Sequence, residues 1–215
     1  YRNMLSTDIL DLPPKGALNL HGSLLPKYRG RVPLNWAIIN GESTSGVTLH
    51  YMTAKPDAGD IIGQEAFAIT EDDTARTVFD KAVAAAGQLL GRVLPQVKSG
   101  NIQRKIQQES EATYFGGRKP EDGQIDWFKS AREVRNLVRA VTRPYPGAFS
   151  FMGDRKCFFW AVSETTADGI FAPGTVISAN PLVIACGSGA VRVDAAQLEN
   201  GIYTTGEQFA ADARI

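Results

Sequence analysis

Asn19 and His21 are the side chains of this sequence best suited to acid–base chemistry on a carbonyl. They stand in the run Asn19-Leu20-His21-Gly22-Ser23-Leu24-Leu25-Pro26, where Leu18 and Leu20 alternate with the two polar positions. The alternation predicts a short strand over 18–25 that carries Asn19 and His21 on one face. Two residues of strand rise separate their Cα atoms by roughly 7 Å, so both tips can reach one reacting group. The carboxamide supplies a hydrogen-bond donor, and the imidazole exchanges a proton near neutral pH. Gly22 would allow a substrate close to the backbone. The same two side chains would equally serve as hydrogen-bonding groups that finish a strand end.

A carboxylate partner is available in Thr53-Ala54-Lys55-Pro56-Asp57-Ala58-Gly59-Asp60, a Pro- and Gly-defined loop between two strands. Asp57 beside His21 would favour the imidazolium and raise its pKa by about 1–3 units. Spacing alone leaves Asp57 equally able to hold its own turn. His50 has no amide or carboxylate beside it in sequence and reads as a residue on the polar face of its strand. The basic loop Lys27-Tyr28-Arg29-Gly30-Arg31 suits contact with phosphate or carboxylate, or simple solvation. There is no G-x-G-x-x-G, no Walker loop, and no G-x-S-x-G elbow around Ser23.

Composition bounds the possibilities. The chain has 215 residues, 43% hydrophobic and 21% charged, which is enough for a sizeable core. Lys plus Arg count 23 and Asp plus Glu 23, so the basic excess usual in a polyanion grip is missing from the total. Cys157 and Cys186 lie in apolar runs, outside any C-x-x-C spacing, and read as buried reduced thiols. With two histidines besides, a zinc site has little ligand supply. No apolar run reaches the ~18 residues of a membrane span. The first residue is Tyr1, which suggests a piece of a longer chain.

The elements that must position these residues follow from periodicity. Val47, Leu49 and Tyr51 alternate with Thr48, His50 and Met52, predicting a second strand; residues 61–69 predict a third. Val78, Phe79, Ala82, Val83, Ala86, Leu89, Leu90, Val93 and Leu94 recur at helical spacing. Asp72, Asp73 or Thr74 would cap that helix, and Pro95 marks its last turn or a kink. The charged, turn-rich stretch 116–123 predicts a boundary. Ser130-Ala131-Arg132-Glu133 is a capping box opening a helix that ends before Pro144. Residues 147–198 read as short strands of a small barrel or sandwich, with Gly187-Ser188-Gly189 as a hairpin turn. Three strands and one long helix are too few for a complete α/β sheet.

Three blocks, Asn19 through Gly30, Gly46-Val47-Thr48-Leu49-His50, and Asp57-Ala58-Gly59-Asp60, together resemble the folate-dependent formyltransferases. That family's signature is Asn-x-His, then Ser-Leu-Leu-Pro and a basic-Gly step, with a distant Asp-x-Gly loop. The likeness runs over nearly the whole chain, through Leu182-Val183-Ile184-Ala185-Cys186-Gly187. It implies an α/β fold: an incomplete Rossmann-like catalytic domain over 1–118, then a small β-rich, barrel-like (OB-like) subdomain over 119–215. It implies Asn19, His21 and Asp57 as the catalytic trio. Arg31, Thr53, Ala54, Lys55 and Pro56, with Asn3, Met4 and Leu5, would line the folate pocket. The implied donor is 10-formyltetrahydrofolate, with no metal.

Within the family the sequence is most similar to domains that formylate the 4-amino group of UDP-4-amino-4-deoxy-L-arabinose in lipid A modification and polymyxin resistance. That branch implies a cytoplasmic protein with small-molecule partners, no nucleic acid and no membrane insertion. It also implies fusion to a dehydrogenase/decarboxylase domain. The alternatives are a methionyl-tRNA formyltransferase, another nucleotide-aminosugar N-formyltransferase, or a folate-binding module without turnover. Neutral charge and Gly22 argue against the tRNA branch, and the β-rich tail argues against a glycinamide ribonucleotide enzyme.

Overall fold

The computed structural model describes residues 5–215. They divide into two compact units, one of residues 5–37, 42–73 and 77–118, the other of residues 38–41, 74–76 and 119–215. Along the first part of the chain run α1 (Thr7–Leu10), β1 (Leu18–His21), β2 (Arg29–Gly30), α2 (Pro33–Ile39), β3 (Thr44–Tyr51), β4 (Ile61–Ala68), α3 (Ala75–Ser99) and β5 (Tyr114–Phe115).

β1, β3 and β4 form an antiparallel sheet in that order, with β3 central. Every β3 residue from Ser45 to Tyr51 is buried, whereas edge strand β1 leaves Leu20 exposed. The register sets Asn19 opposite His50 and His21 opposite Thr48. β1 stops at His21 rather than running to Leu25, because side chains take over from the ladder. Thr48 Oγ1 donates to Ser23 O at 2.6 Å and accepts from the Leu25 N–H at 3.1 Å. Ser23 Oγ donates to Lys27 O at 2.6 Å. This hydrogen-bonded turn carries the chain from the His21 strand end to β2, which pairs in parallel with β5.

α3 covers the sheet. Ala82, Ala85, Leu89 and Val93 pack against Val47 and Leu49, recurring at the helical i, i+3, i+4 spacing. The buried stripe is narrower than the sequence pattern implies. Phe79, Val83 and Leu94 are exposed, and Ala85 joins the core in their place. Truncating the fully buried Leu89 to Ala would cost about 2–5 kcal/mol. Pro95 lies inside the helix one turn from its end at Ser99, where few backbone bonds remain to be lost.

The second unit contains α4 (Ala131–Val141), β6 (Ala148–Met152), β7 (Arg155–Thr165), β8 (Val176–Ala179), β9 (Leu182–Ala185), β10 (Ala190–Leu198), β11 (Thr204–Thr205) and α5 (Gly206–Ala213). Its strands form one antiparallel sheet in the order β6-β7-β10-β9-β8, with β11 on β10. The capping box is present at α4: Ser130 Oγ accepts from the Glu133 N–H, and Glu133 Oε2 accepts from the Ser130 N–H at 3.0 Å. The turn 187–189 joins β9 to β10 as the sequence implied. Cys157 and Cys186 are buried free thiols, and burial pushes Cys186 up to about 11. Among the described residues no helix is long and apolar enough to cross a membrane.

Candidate functional site

Asp57 Oδ1 is a point on which three side chains of the first unit converge. Asn19 Nδ2 lies 3.5 Å from it, His21 Nδ1 3.6 Å and His50 Nε2 3.5 Å. Asn19 Nδ2 also donates to His50 Nε2 at 3.2 Å. The β1–β3 register produces this meeting by setting Asn19 directly across the ladder from His50. His21 and His50 are buried, and Asp57 is half-buried at the base of the loop between β3 and β4.

Backbone carbonyls fix both rings. His21 Nε2 stands 2.7 Å from Tyr28 O, and His50 Nδ1 2.8 Å from Tyr51 O. A carbonyl only accepts, so each of those nitrogens carries a proton. In the neutral rings the lone pairs of His21 Nδ1 and His50 Nε2 therefore face Asp57. Two bare imidazole nitrogens and a carboxylate oxygen share one spot with a single donor group, the Asn19 amide. That is a proton-accepting cluster.

Asp57 is held by more than its ring neighbours. Its Oδ2 accepts the Gly30 N–H at 2.8 Å. Gly30 must be glycine: its φ is +105°, and a Cβ there would lie 2.2 Å from the Phe115 carbonyl oxygen. Asp57 itself has φ +51°, a left-handed conformation costing a non-glycine residue about 1–2 kcal/mol. A Cβ at Gly22 would sit 3.4 Å from Leu34 and 3.5 Å from Pro33, ordinary van der Waals contact.

Electrostatics favour a neutral His21 beside an ionised Asp57. Burial is the largest influence on His21 and lowers its pKa; the Asp57 charge and the Tyr28 carbonyl pull it back only in part, and His50 lowers it further. The sequence reading expected Asp57 to raise this pKa, but desolvation of the cation outweighs one half-buried carboxylate. Burial alone would raise the pKa of Asp57. When the rings are protonated, the hydrogen bond from His50 and the charge of His21, together with the Gly30 N–H, outweigh it and hold the carboxyl below the usual value.

The residues expected around a folate pocket are only partly tied to this cluster. Thr53, Ala54, Lys55 and Pro56 are exposed on the loop that ends at Asp57. Thr53 Oγ1 donates to Lys55 O at 2.9 Å, and the Lys55 ammonium pairs with Glu109. Arg31 is exposed and follows Gly30, its N–H bonded to Phe115 O at 3.0 Å. Leu5 is half-buried, three residues before Asp8 of α1. Asn3 and Met4 lie outside the described residues.

The basic loop does not offer Arg29 to a ligand. Arg29 is fully buried, and its guanidinium donates from Nε and Nη2 to Gln107 Oε1 at 3.1 and 2.9 Å. Its Nη1 donates to Glu109 Oε2 at 2.8 Å and to the Tyr114 hydroxyl. A guanidinium this deep requires such pairing, which the local sequence does not reveal.

Residues 1–94 match the family model described as formyl transferase, and residues 118–214 match that of the formyl transferase C-terminal domain. The chain belongs to the formyl transferase family. Solved structures of similar fold include HypX from Aquifex aeolicus in complex with tetrahydrofolic acid, 20% identical with a TM-score of 0.67 over 91% of this chain and 35% of that one. The N-formyltransferase from Helicobacter canadensis, in complex with folinic acid and dTDP-3-aminofucose, is 23% identical with a TM-score of 0.65, covering 82% of this chain and 65% of that one. The formyltransferase PseJ from Anoxybacillus kamchatkensis, in complex with UDP-4,6-dideoxy-4-formamido-L-AltNAc and tetrahydrofolate, is 30% identical with a TM-score of 0.51, covering 57% of this chain and 64% of that one. The chain thus spans about a third of HypX and just under two thirds of the other two.

In this formyl transferase chain the sequence reading passed over His50, which bonds to Asn19 and faces Asp57. Its partners are distant in sequence. The available signal was the alternation of β3, which puts His50 on the same face as Thr48, together with a pairing of β3 with β1.

Proposed function

We propose that this chain carries the site of an enzyme that moves a formyl group from 10-formyltetrahydrofolate to the amine of a nucleotide-linked sugar. The convergence of Asn19, His21 and Asp57 at Asp57 Oδ1 is the observation that carries the reading. Membership of the formyl transferase family supports formyl transfer as the reaction. The 30% identity to PseJ, solved with a UDP-linked formamido sugar and tetrahydrofolate, supports a sugar acceptor and a folate donor. We assign the acceptor as UDP-4-amino-4-deoxy-L-arabinose.

The chemistry follows from the ligand-free geometry. The acceptor amine attacks the formyl carbon, and negative charge gathers on the formyl oxygen. One proton of Asn19 Nδ2 is committed to His50; the other points toward Asp57 at 3.5 Å, too long for a strong bond, and is available to a formyl oxygen seated on that side. His21 Nδ1, its lone pair free in the neutral tautomer, takes the proton from the attacking amine and delivers it to the departing folate nitrogen. Asp57 stabilises the imidazolium that forms between the two transfers. Losing one such oxyanion donor typically costs about 10²–10³ in kcat, and losing a positioned base about 10²–10⁴. Arg31 and the exposed loop from Thr53 to Pro56 border the donor.

The test is a donor-consumption assay with an acceptor panel: UDP-4-amino-4-deoxy-L-arabinose, a dTDP-linked aminosugar, charged initiator tRNA, and no amine. Formylation of the UDP-aminosugar above the others supports the assignment. Preferential formylation of the tRNA would move the chain to another acceptor class. Donor binding with no transfer to any acceptor would make it a folate-binding module.

A further inference from the structure

Gln107 belongs to none of the sequence blocks that point to the reaction, yet its carboxamide is saturated by groups around Asp57. It is buried, in the segment between α3 and β5. Its Nε2 donates to the main-chain oxygens of Asp57 at 2.8 Å and Gly59 at 2.7 Å. Its Oε1 accepts twice from Arg29, whose guanidinium is anchored in turn by Glu109. Both donors and both lone pairs of the amide are therefore engaged.

The turn from Tyr28 to Gly30 closes the circuit. Its Tyr28 carbonyl fixes the His21 ring, its Gly30 N–H holds the Asp57 carboxylate, and its Arg29 side chain holds Gln107. Asp57 is thus gripped at its carboxylate by the backbone of this turn and at its carbonyl by the turn's side chain acting through Gln107. A residue with φ +51° keeps that conformation only where its surroundings over-determine it.

We propose that Gln107, oriented by Arg29, is a positioning residue that sets the Asp57 carboxylate against His21. This inference rests on the proposed formyl-transfer reading for its kinetic readout only. Gln107 touches no reacting atom; it acts through the backbone of the loop it clamps.

Two variants in the full chain separate this role from plain structural support. Gln107→Met removes both donors without adding charge. Gln107→Glu keeps the outline and an acceptor for Arg29, but turns an acceptor toward the two carbonyls. Both are expected to lower kcat about 10²-fold, as a displacement of about 1 Å in a reacting group does. KM for the formyl donor should change far less than kcat, since the clamp holds the Asp57 and Gly59 carbonyls rather than the exposed stretch from Thr53 to Pro56. In Gln107→Met the His21 imidazole, followed by NMR as one of only two histidines, should titrate at lower pH than in wild type. The reason is that a displaced Asp57 supports the imidazolium less, while His50 and the Tyr28 carbonyl remain in place.

A folded variant with wild-type kcat and an unmoved His21 titration overturns the inference. If neither variant folds, exchange of the Gln107 side-chain amide protons in wild type decides: slow exchange supports the clamp, and exchange as fast as an exposed amide contradicts it. The His21 titration needs no turnover. Absence of formyl transfer by wild type would therefore count against the proposed function and leave the clamp standing.

Discussion

His50 faces Asn19 directly across the β1–β3 ladder, and its Nε2 accepts the Asn19 amide at 3.2 Å. Because Nδ1 donates to the Tyr51 carbonyl, the ring cannot swap ends without losing both bonds. The Asn19 carboxamide is thereby oriented by a rigid partner rather than by its own rotamer preference.

Replacing His50 should therefore disturb Asn19 and Asp57 together. His50→Leu removes the acceptor, and turnover should fall by up to about 10²-fold through misplacement of Asn19. With a proton on Nε2, His50 would donate to Asp57 and help hold its carboxyl down, so its loss lets that pKa rise. The acid limb of the pH–rate profile should shift to higher pH. His50→Gln, which restores an acceptor for Asn19, should recover part of the loss. The pH dependence of kcat for the three proteins checks both effects.

Asp57→Asn tests charge apart from shape. The carboxamide can still accept the Gly30 N–H through its oxygen, so the loop should hold. His21 loses the charge that opposes its burial, and its titration should move to still lower pH. Turnover should drop by about 10²–10⁴, because the imidazolium formed during proton transfer is no longer stabilised. NMR titration of His21 and steady-state kinetics on one preparation measure the two consequences.

Much of this architecture was legible in local pattern. The strict alternation around Asn19 and His21 marked β1, and the Ser130–Glu133 capping box located the start of α4. The α3 stripe was legible in position but not in width, since Phe79 and Val83 fit the helical period as well as the buried residues do. What stayed hidden depends on pairings between distant segments. β2 and β5 are two residues each, too short for any period, and exist because Arg29 and Gly30 pair with Tyr114 and Phe115. The same distance hid the burial of Arg29, the approach of His50 and the role of Gln107. α2 and α5 are short helices whose only local signals are at their starts, Pro33 opening α2 and Thr205 capping α5.

Asp73 offers a test of the scaffold under the site. Its carboxyl sits at about 2 against 3.8 for the free group. Burial opposes this shift, but the bond from Lys81, the Thr70 N–H and the Thr77 and Thr70 hydroxyls prevail. The folded pKa lies below the unfolded one, so the stabilisation is complete above about pH 4 and is lost as pH falls toward about 2. The shift corresponds to about 2 kcal/mol at neutral pH. Asp73→Asn should lower Tm at pH 7 by about 4–8 °C, and wild type and variant should converge as pH approaches about 2. Thermal melts from pH 2 to 7 give the comparison.

Turnover by His21→Ala with saturating 10-formyltetrahydrofolate and UDP-4-amino-4-deoxy-L-arabinose is the most direct measurement. If His21 Nδ1 carries the proton from amine to folate nitrogen, kcat falls by about 10²–10⁴ while the protein stays folded and still binds the donor. A folded His21→Ala protein that transfers formyl at a near-normal rate would contradict the account.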